Sequence, residues 1–147
     1  MIVQTNCTVF GTNLLNGLEN FSATSPYTYK IALYNANANL GSSTTVYTTQ
    51  NEITGTGYIA GGKTLVISTT PTGNTENNIS YISFNNVTWS PASFTCRGAL
   101  IYNSTTGAAC FVLNFGSDKT CTNTFTITFP TASYSSAILT IGGSTNT

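Results

Sequence analysis

Polar and apolar residues alternate with a period of two along most of the chain. In "TFTITF" (124–129), Phe125, Ile127 and Phe129 fall on one side and the threonines on the other. That is the pattern of a strand with one buried and one solvated face. "YKIALY" (29–34) places Tyr29, Ile31 and Leu33 on one face. "KTLVIS" (63–68), "YISF" (81–84), "SFTCRGALIY" (93–102), "ACFVLNF" (109–115) and "SAILTI" (136–141) read as further strands. Glycine- and serine-rich stretches separate them. "AGGK" (60–63), "STTGA" (104–108) and "FGSDK" (115–119) read as loops, and "STTGA" reads as the turn of a β-hairpin. With that turn, Leu100 is expected opposite Cys110, and Cys96 opposite Asn114. Pro130 closes the strand before it, because proline has no N–H to give to a ladder.

One stretch has a helical period instead. "TVFGTNLLNGLENF" (8–21) spaces Phe10, Leu14, Leu15 and Leu18 for a helix, weakened by Gly11 and Gly17. A cover for a sheet end or edge is its expected role, with a partner-binding helix as the alternative. Seven or eight short strands with one short N-terminal helix predict an all-β fold. The expectation is a single-domain β-sandwich of jelly-roll or Greek-key type over residues 1–147, with 1–25 an N-terminal segment that carries the helix.

Charge alters the picture more than hydrophobicity does. Charged residues make up 5% of the chain, four basic and four acidic, against about 25% in an average domain. The cations Lys30, Lys63, Arg97 and Lys119 are dispersed, so neither a nucleic-acid surface nor a basic membrane patch is expected. A surface with so little charge fits a protein that ends in an assembly, with a monomer kept soluble by uncharged polar groups as the alternative. The opening "MIVQTNCTVFGTNLL" has neither a basic segment nor an unbroken apolar run, so no export signal is expected. No window approaches a membrane span of about 20 apolar residues.

Candidate chemistry is sparse. The chain has no histidine, and Glu19, Glu52, Glu76 and Asp118 are far apart in sequence. No catalytic residue, metal site or cofactor is expected. "TGTGYIAGGK" (54–63) lacks the spacing of a phosphate loop and leads into a strand, so it reads as a tight loop. The four cysteines, Cys7, Cys96, Cys110 and Cys121, have no C-x-x-C spacing and read as free buried thiols. Trp89 reads as a core plug at a sheet end, with a sugar platform as the alternative. Tyr27, Tyr47 and Tyr58 fall in loop-like segments and are candidates for contacting a partner protein.

Arg97 is the sole arginine, and it lies inside an apolar strand. It shares a face with Thr95, Ala99 and Ile101, so a guanidinium there needs an acceptor. Asp118 is the expected partner and Glu52 the alternative; a contact with another protein is the competing role. Gly98 beside it is expected to permit a bulge or a close backbone approach.

Several blocks, taken together, resemble a family of small structural proteins of tailed bacteriophages. They are "KIALY", "YTTQNEITGTGYIAGGK", "WSPASFTCRGALIYN" and "FGSDK", within about residues 29–130, and "LLNG" (14–17) also fits. Cys96, Cys110 and Cys121 are not among the residues that carry the resemblance. The resemblance implies a virion protein, in particular a non-enzymatic capsid decoration (cement) protein. It further implies a homotrimer on the outer surface of the head, with the major capsid protein as partner. A tail or fibre protein used for adsorption is the alternative, and a carbohydrate-binding β-sandwich a third reading.

Overall fold

A computed structural model describes residues 1–142. Residues 143–147, the end of the expected domain, lie outside the described residues. In chain order the elements are β1 (Thr5–Asn6), α1 (Thr8–Leu15), β2 (Tyr29–Tyr34), β3 (Lys63–Thr64), β4 (Ile67–Asn74) and β5 (Ile79–Phe84). They continue with β6 (Val87–Trp89), β7 (Phe94–Asn103), β8 (Ala109–Cys121), β9 (Phe125–Ile127) and β10 (Leu139–Gly142). The protein is all-β, with one short N-terminal helix among the described residues. Its strands form a five-stranded sheet ordered β1-β8-β7-β2-β3, a three-stranded sheet ordered β10-β5-β4, and the pair β6-β9. Every pairing in them is antiparallel.

Rings hold the sheets together. Tyr29 of β2 stacks on Phe21 at 4.5 Å between centroids, and Phe84 of β5 meets Phe21 edge-on at 6.2 Å. Phe10 of α1 packs edge-on against Phe111 of β8 at 4.6 Å. On the other side, Trp89 of β6 meets Phe94 of β7 at 6.4 Å and Phe125 of β9 at 5.9 Å. Offset and edge-on aromatic pairs of this kind add to what burial alone contributes. All these rings except half-buried Phe125 belong to one continuous core, against which Phe125 packs.

Both faces of β2 are buried, although its alternation predicts one. Ala32 and Tyr34 are as inaccessible as Ile31 and Leu33. The strand lies between β7 and β3, and the long 35–62 connection follows it. Tyr34 reaches into that connection and donates to the Thr48 carbonyl at 2.6 Å.

"KTLVIS" is a corner joining two sheets. Lys63 and Thr64 pair with β2, whereas Ile67 pairs with Phe84 of β5. Between them the Leu65 N–H still donates to Tyr29 in the first sheet, and the Val66 carbonyl accepts from Asn85. An apolar run shows that these residues are extended; it cannot show that they change partners.

The helix is shorter than its periodicity suggests. It stops at Leu15 because Gly17 takes a φ of 71°. The Gly17 N–H then donates to Leu14, at 3.1 Å, and the Leu18 N–H to Asn13, at 2.8 Å. This double closure satisfies the last carbonyls. Phe10 turns into the core, while Leu15 and Leu18 are left exposed. The helix covers β8, and no helix among the described residues is long and apolar enough to cross a membrane.

The β7-β8 hairpin departs from its expected register. Leu100 faces Val112 and Cys96 faces Lys119. Asn103 and Ala108 close the turn, and Cys110 is then passed over between the Ile101–Phe111 and Tyr102–Ala109 pairs. A larger bulge follows. Cys96 pairs with Lys119 and Gly98 with Asn114, so Arg97 alone spans Phe115 to Asp118. "FGSDK" is therefore part of a bulged strand, with Gly116 at a φ of 77°.

Candidate functional site

The bulge puts Asp118 beside Arg97. Arg97 Nε donates to Asp118 Oδ1 at 2.7 Å, with 35% and 52% of the two side chains exposed. The arginine lies on the outer, half-solvated face of the sheet, and its acceptor sits on the neighbouring strand. Gly98, next in β7, is where the backbones crowd. A β-carbon there would come within 2.5 Å of the Leu113 carbonyl and 3.0 Å of Ile2.

Glu52, the alternative acceptor, has a different role. Its Oε1 accepts from Tyr58 Oη at 2.6 Å and from the Gly61 N–H at 2.7 Å. Its Oε2 accepts from Tyr47 Oη at 2.6 Å. The Tyr58 oxygen also accepts from the Leu33 N–H, at 2.9 Å, tying the knot to β2. Tyr47 stacks on Tyr102 at 4.6 Å, and the Tyr102 hydroxyl donates to the Gly61 carbonyl. Tyr47 and Tyr58 thus both donate to one carboxylate while remaining half-buried. Burial, with Glu52 adding to it, pushes both phenols well above the usual tyrosine range. The half-buried Tyr27 packs against the core near Ser25 and takes no part in this knot.

Glycines shape the same connection. Gly57 and Gly62 adopt φ values of 79° and 72°. A β-carbon on either would overlap a carbonyl, that of Pro91 or of Ile31. The "GTGY" and "GGK" turns are therefore places where backbone lies directly on backbone.

Trp89 is 1% exposed and offers no face to a sugar. Its ring packs among Tyr58, Phe94 and Phe125, with Lys63 Nζ 5.8 Å from its centroid. The same ammonium donates to the Thr88 carbonyl.

A second carboxylate, this one buried, had no sequence signal. Glu19 is 6% exposed, and its Oε2 accepts from Tyr29 Oη at 2.8 Å and Asn103 Nδ2 at 2.9 Å. Its Oε1 has no hydrogen-bond partner. The Asn103 amide is itself inaccessible, and its Oδ1 accepts from the N–H groups of Thr105 and Thr106 in the hairpin turn. Glu19 therefore links the end of the helical segment to β2 and to the β7-β8 turn. Isolated loop acids usually lie in solvent. Here two of them are gathered in by tyrosines.

All four cysteines are free and buried. Burial pushes the Cys7 thiol up to about 11 and the Cys96 thiol to about 12. Buried, protonated thiols of this kind make poor nucleophiles. Among the described residues no group of three or more His, Cys, Asp or Glu side chains is arranged to hold a metal ion. What these clusters do chemically is hold chain against chain. No protein-family model, curated protein or solved structure matches the chain.

Proposed function

We propose that the chain is a non-enzymatic decoration (cement) protein of a tailed-bacteriophage head. In this reading it sits as a homotrimer on the outer surface of the assembled shell and stabilises contacts between major capsid subunits. One observation carries the reading: the residues behind the phage resemblance are engaged in the scaffold. Glu52 and Tyr58 form the knot, Gly57 and Gly62 its tight turns, Trp89 the core plug, and Arg97 and Asp118 the bracket. A likeness carried by such residues is a likeness of architecture, which fits a structural protein better than one defined by an active site.

The surface supports the same reading. Leu15, Ile59 and Val66 stand 91%, 79% and 58% exposed on a chain with eight charged residues in all, four of each sign. Binding that prefers the assembled shell stabilises it by linkage, and repetition over many sites makes modest contacts cumulative. A density map of virions carrying the protein tests the proposal. Density for the fold in many copies on the head surface is the expected result. Density confined to the tail tip would replace cementing with adsorption.

A further inference from the structure

Two of the four cysteines lie opposite each other where the N-terminal segment joins the sheet. The β1-β8 register pairs Thr5 with Val112 and Asn6 with Phe111. One step further it sets Cys7 opposite Cys110, and the Cys7 N–H donates to the Cys110 carbonyl at 2.9 Å. Opposed residues joined by ladder bonds have α-carbons about 5.5 Å apart, and their side chains share one face of the sheet. A disulfide spans about 4.4–6.8 Å between α-carbons, most often about 5.5–6 Å. The other two cysteines fail the same test. Phe94 faces Cys121 and Cys96 faces Lys119, so Cys96 and Cys121 are diagonal neighbours. Diagonal neighbours are about 7–8 Å apart, and beyond about 7 Å a disulfide requires the backbone to move.

Neither thiol of the opposed pair is held elsewhere by a strong bond. Cys7 Sγ lies 3.8 Å from the Gly41 carbonyl, and Cys110 Sγ lies 3.8 Å from that of Ala108. A thiol is a weak donor, so turning the two side chains toward each other sacrifices little. Burial raises the Cys110 thiol most, and Glu19 and then Cys7 add to it, as expected of two sulfurs close enough to act on each other. The segment that carries Cys7 is lightly attached. β1 is a two-residue edge strand, and Phe10 is the one buried side chain of α1. Such a segment opens locally more readily than the sheet it rests on.

We propose that Cys7 and Cys110 are a modification site: a small-molecule disulfide oxidises them to an intramolecular disulfide that fastens the N-terminal segment to β8. Local opening brings the Cys7 thiolate to the reagent, where it attacks one sulfur and expels the first thiolate. Before the segment redocks fully, the Cys110 thiolate attacks the Cys7 sulfur of the mixed disulfide and expels the second. Two protein thiols thereby lose two electrons and two protons, and one reagent disulfide is reduced to two thiols. The bond closes a loop of about 100 residues, which constrains the unfolded chain strongly. It does not depend on where the protein sits in a particle.

Incubation of the native protein with oxidised glutathione, then alkylation of the remaining thiols in denaturant and peptide mapping, tests the assignment. The expected product has one disulfide, between Cys7 and Cys110, with Cys96 and Cys121 alkylated. Its melting temperature should rise by about 10 °C, and dithiothreitol should reverse the rise. Cys7→Ser should form no intramolecular disulfide and gain no stability from oxidised glutathione. Cys96→Ala should form the bond as the unaltered protein does. Peptide mapping of the unaltered protein decides the question even if the Cys7 variant folds poorly. A Cys96–Cys121 link, a glutathione adduct on Cys7 that never resolves, or four thiols still open to alkylation would each overturn the inference. A Cys7–Cys110 bond that leaves the melting temperature unchanged would overturn its role as a fastening.

Discussion

Two carboxylates show how environment sets the worth of an interaction. Asp118 and Arg97 form an ion pair in contact with water, where a pair contributes about 0.2–1 kcal/mol. Glu52 accepts three short hydrogen bonds at half-buried positions and joins Tyr47, Tyr58 and Gly61 in one unit. Tyr58→Phe removes a single oxygen but leaves both Glu52 Oε1 and the Leu33 N–H short of a partner. Its expected cost is about 1–3 kcal/mol, because a desolvated group that loses its partner retains its desolvation penalty. Arg97→Met should cost less than about 1 kcal/mol, and the loss should shrink further in high salt. Urea unfolding of the two variants at neutral pH compares them directly. A larger loss for Arg97→Met would mean that the knot is not the stronger attachment. The Arg97–Asp118 pair was legible in sequence, because a lone arginine in an apolar strand demands an acceptor and the loop read after the next strand supplied one. The knot was not, although its members lie within 9 residues of Glu52. An acid flanked by tyrosines and glycines around buried Ile53 was the signal available. Glu19 offered no such signal, since its partner Asn103 is 84 residues away.

At the scale of elements, alternation located the strands and missed their junctions. β2, β5 and β7 lie close to where the pattern placed them. The corner at Leu65–Val66 and the bulge opposite Arg97 were hidden, because both depend on which strand is the neighbour. "FGSDK" carries loop residues for the same reason that it carries a bulge: Gly116 supplies a positive φ in either setting. Glycine substitutions separate conformational strain from collision. Gly107 has a φ of 84° and open space around it, with no atom within 4 Å of where an added β-carbon would lie. Gly62, at 72°, would instead drive its β-carbon to within 1.8 Å of the Ile31 carbonyl. Gly107→Ala should therefore cost about 1–2 kcal/mol, the penalty for a left-handed backbone. Gly62→Ala adds displacement of β2 to a similar penalty and should leave little folded protein. Circular dichroism and thermal melts of the two variants provide the comparison. Equal melting temperatures would show that the Gly62 turn can move away from β2.

For the whole molecule, four phenols and three thiols act in one direction. Tyr29, Tyr34, Tyr47 and Tyr58 all have phenols pushed above their ordinary range, with burial as the largest cause. Cys7 and Cys96 are raised to about 11 and about 12, again by burial, and Cys110 is raised as well. Each of these groups is neutral when protonated, and each ionises more easily in the unfolded chain. Below the unfolded values, about 8.5 for thiols and 10 for phenols, both states hold the proton and the stabilisation is complete. Above them the unfolded chain releases protons that the folded chain retains. Stability then falls by about 1.4 kcal/mol per pH unit for each such group, until the folded value is passed. Without histidine, no side chain has an ordinary titration between about pH 5 and 8. The melting temperature should accordingly change little from about pH 6 to 8 and drop steeply above about pH 9. Cys96→Ala tests the thiol part of this account. It opens a small cavity and lowers stability at every pH, but it also removes one of the protons retained on folding. The slope of unfolding free energy between about pH 9 and 11 should become shallower by about one proton, while the neutral-pH plateau shifts down without changing shape. Urea unfolding at fixed intervals across that range gives both quantities. An unchanged slope would remove Cys96 from the groups behind the alkaline instability and leave it to the tyrosines and the other two raised thiols.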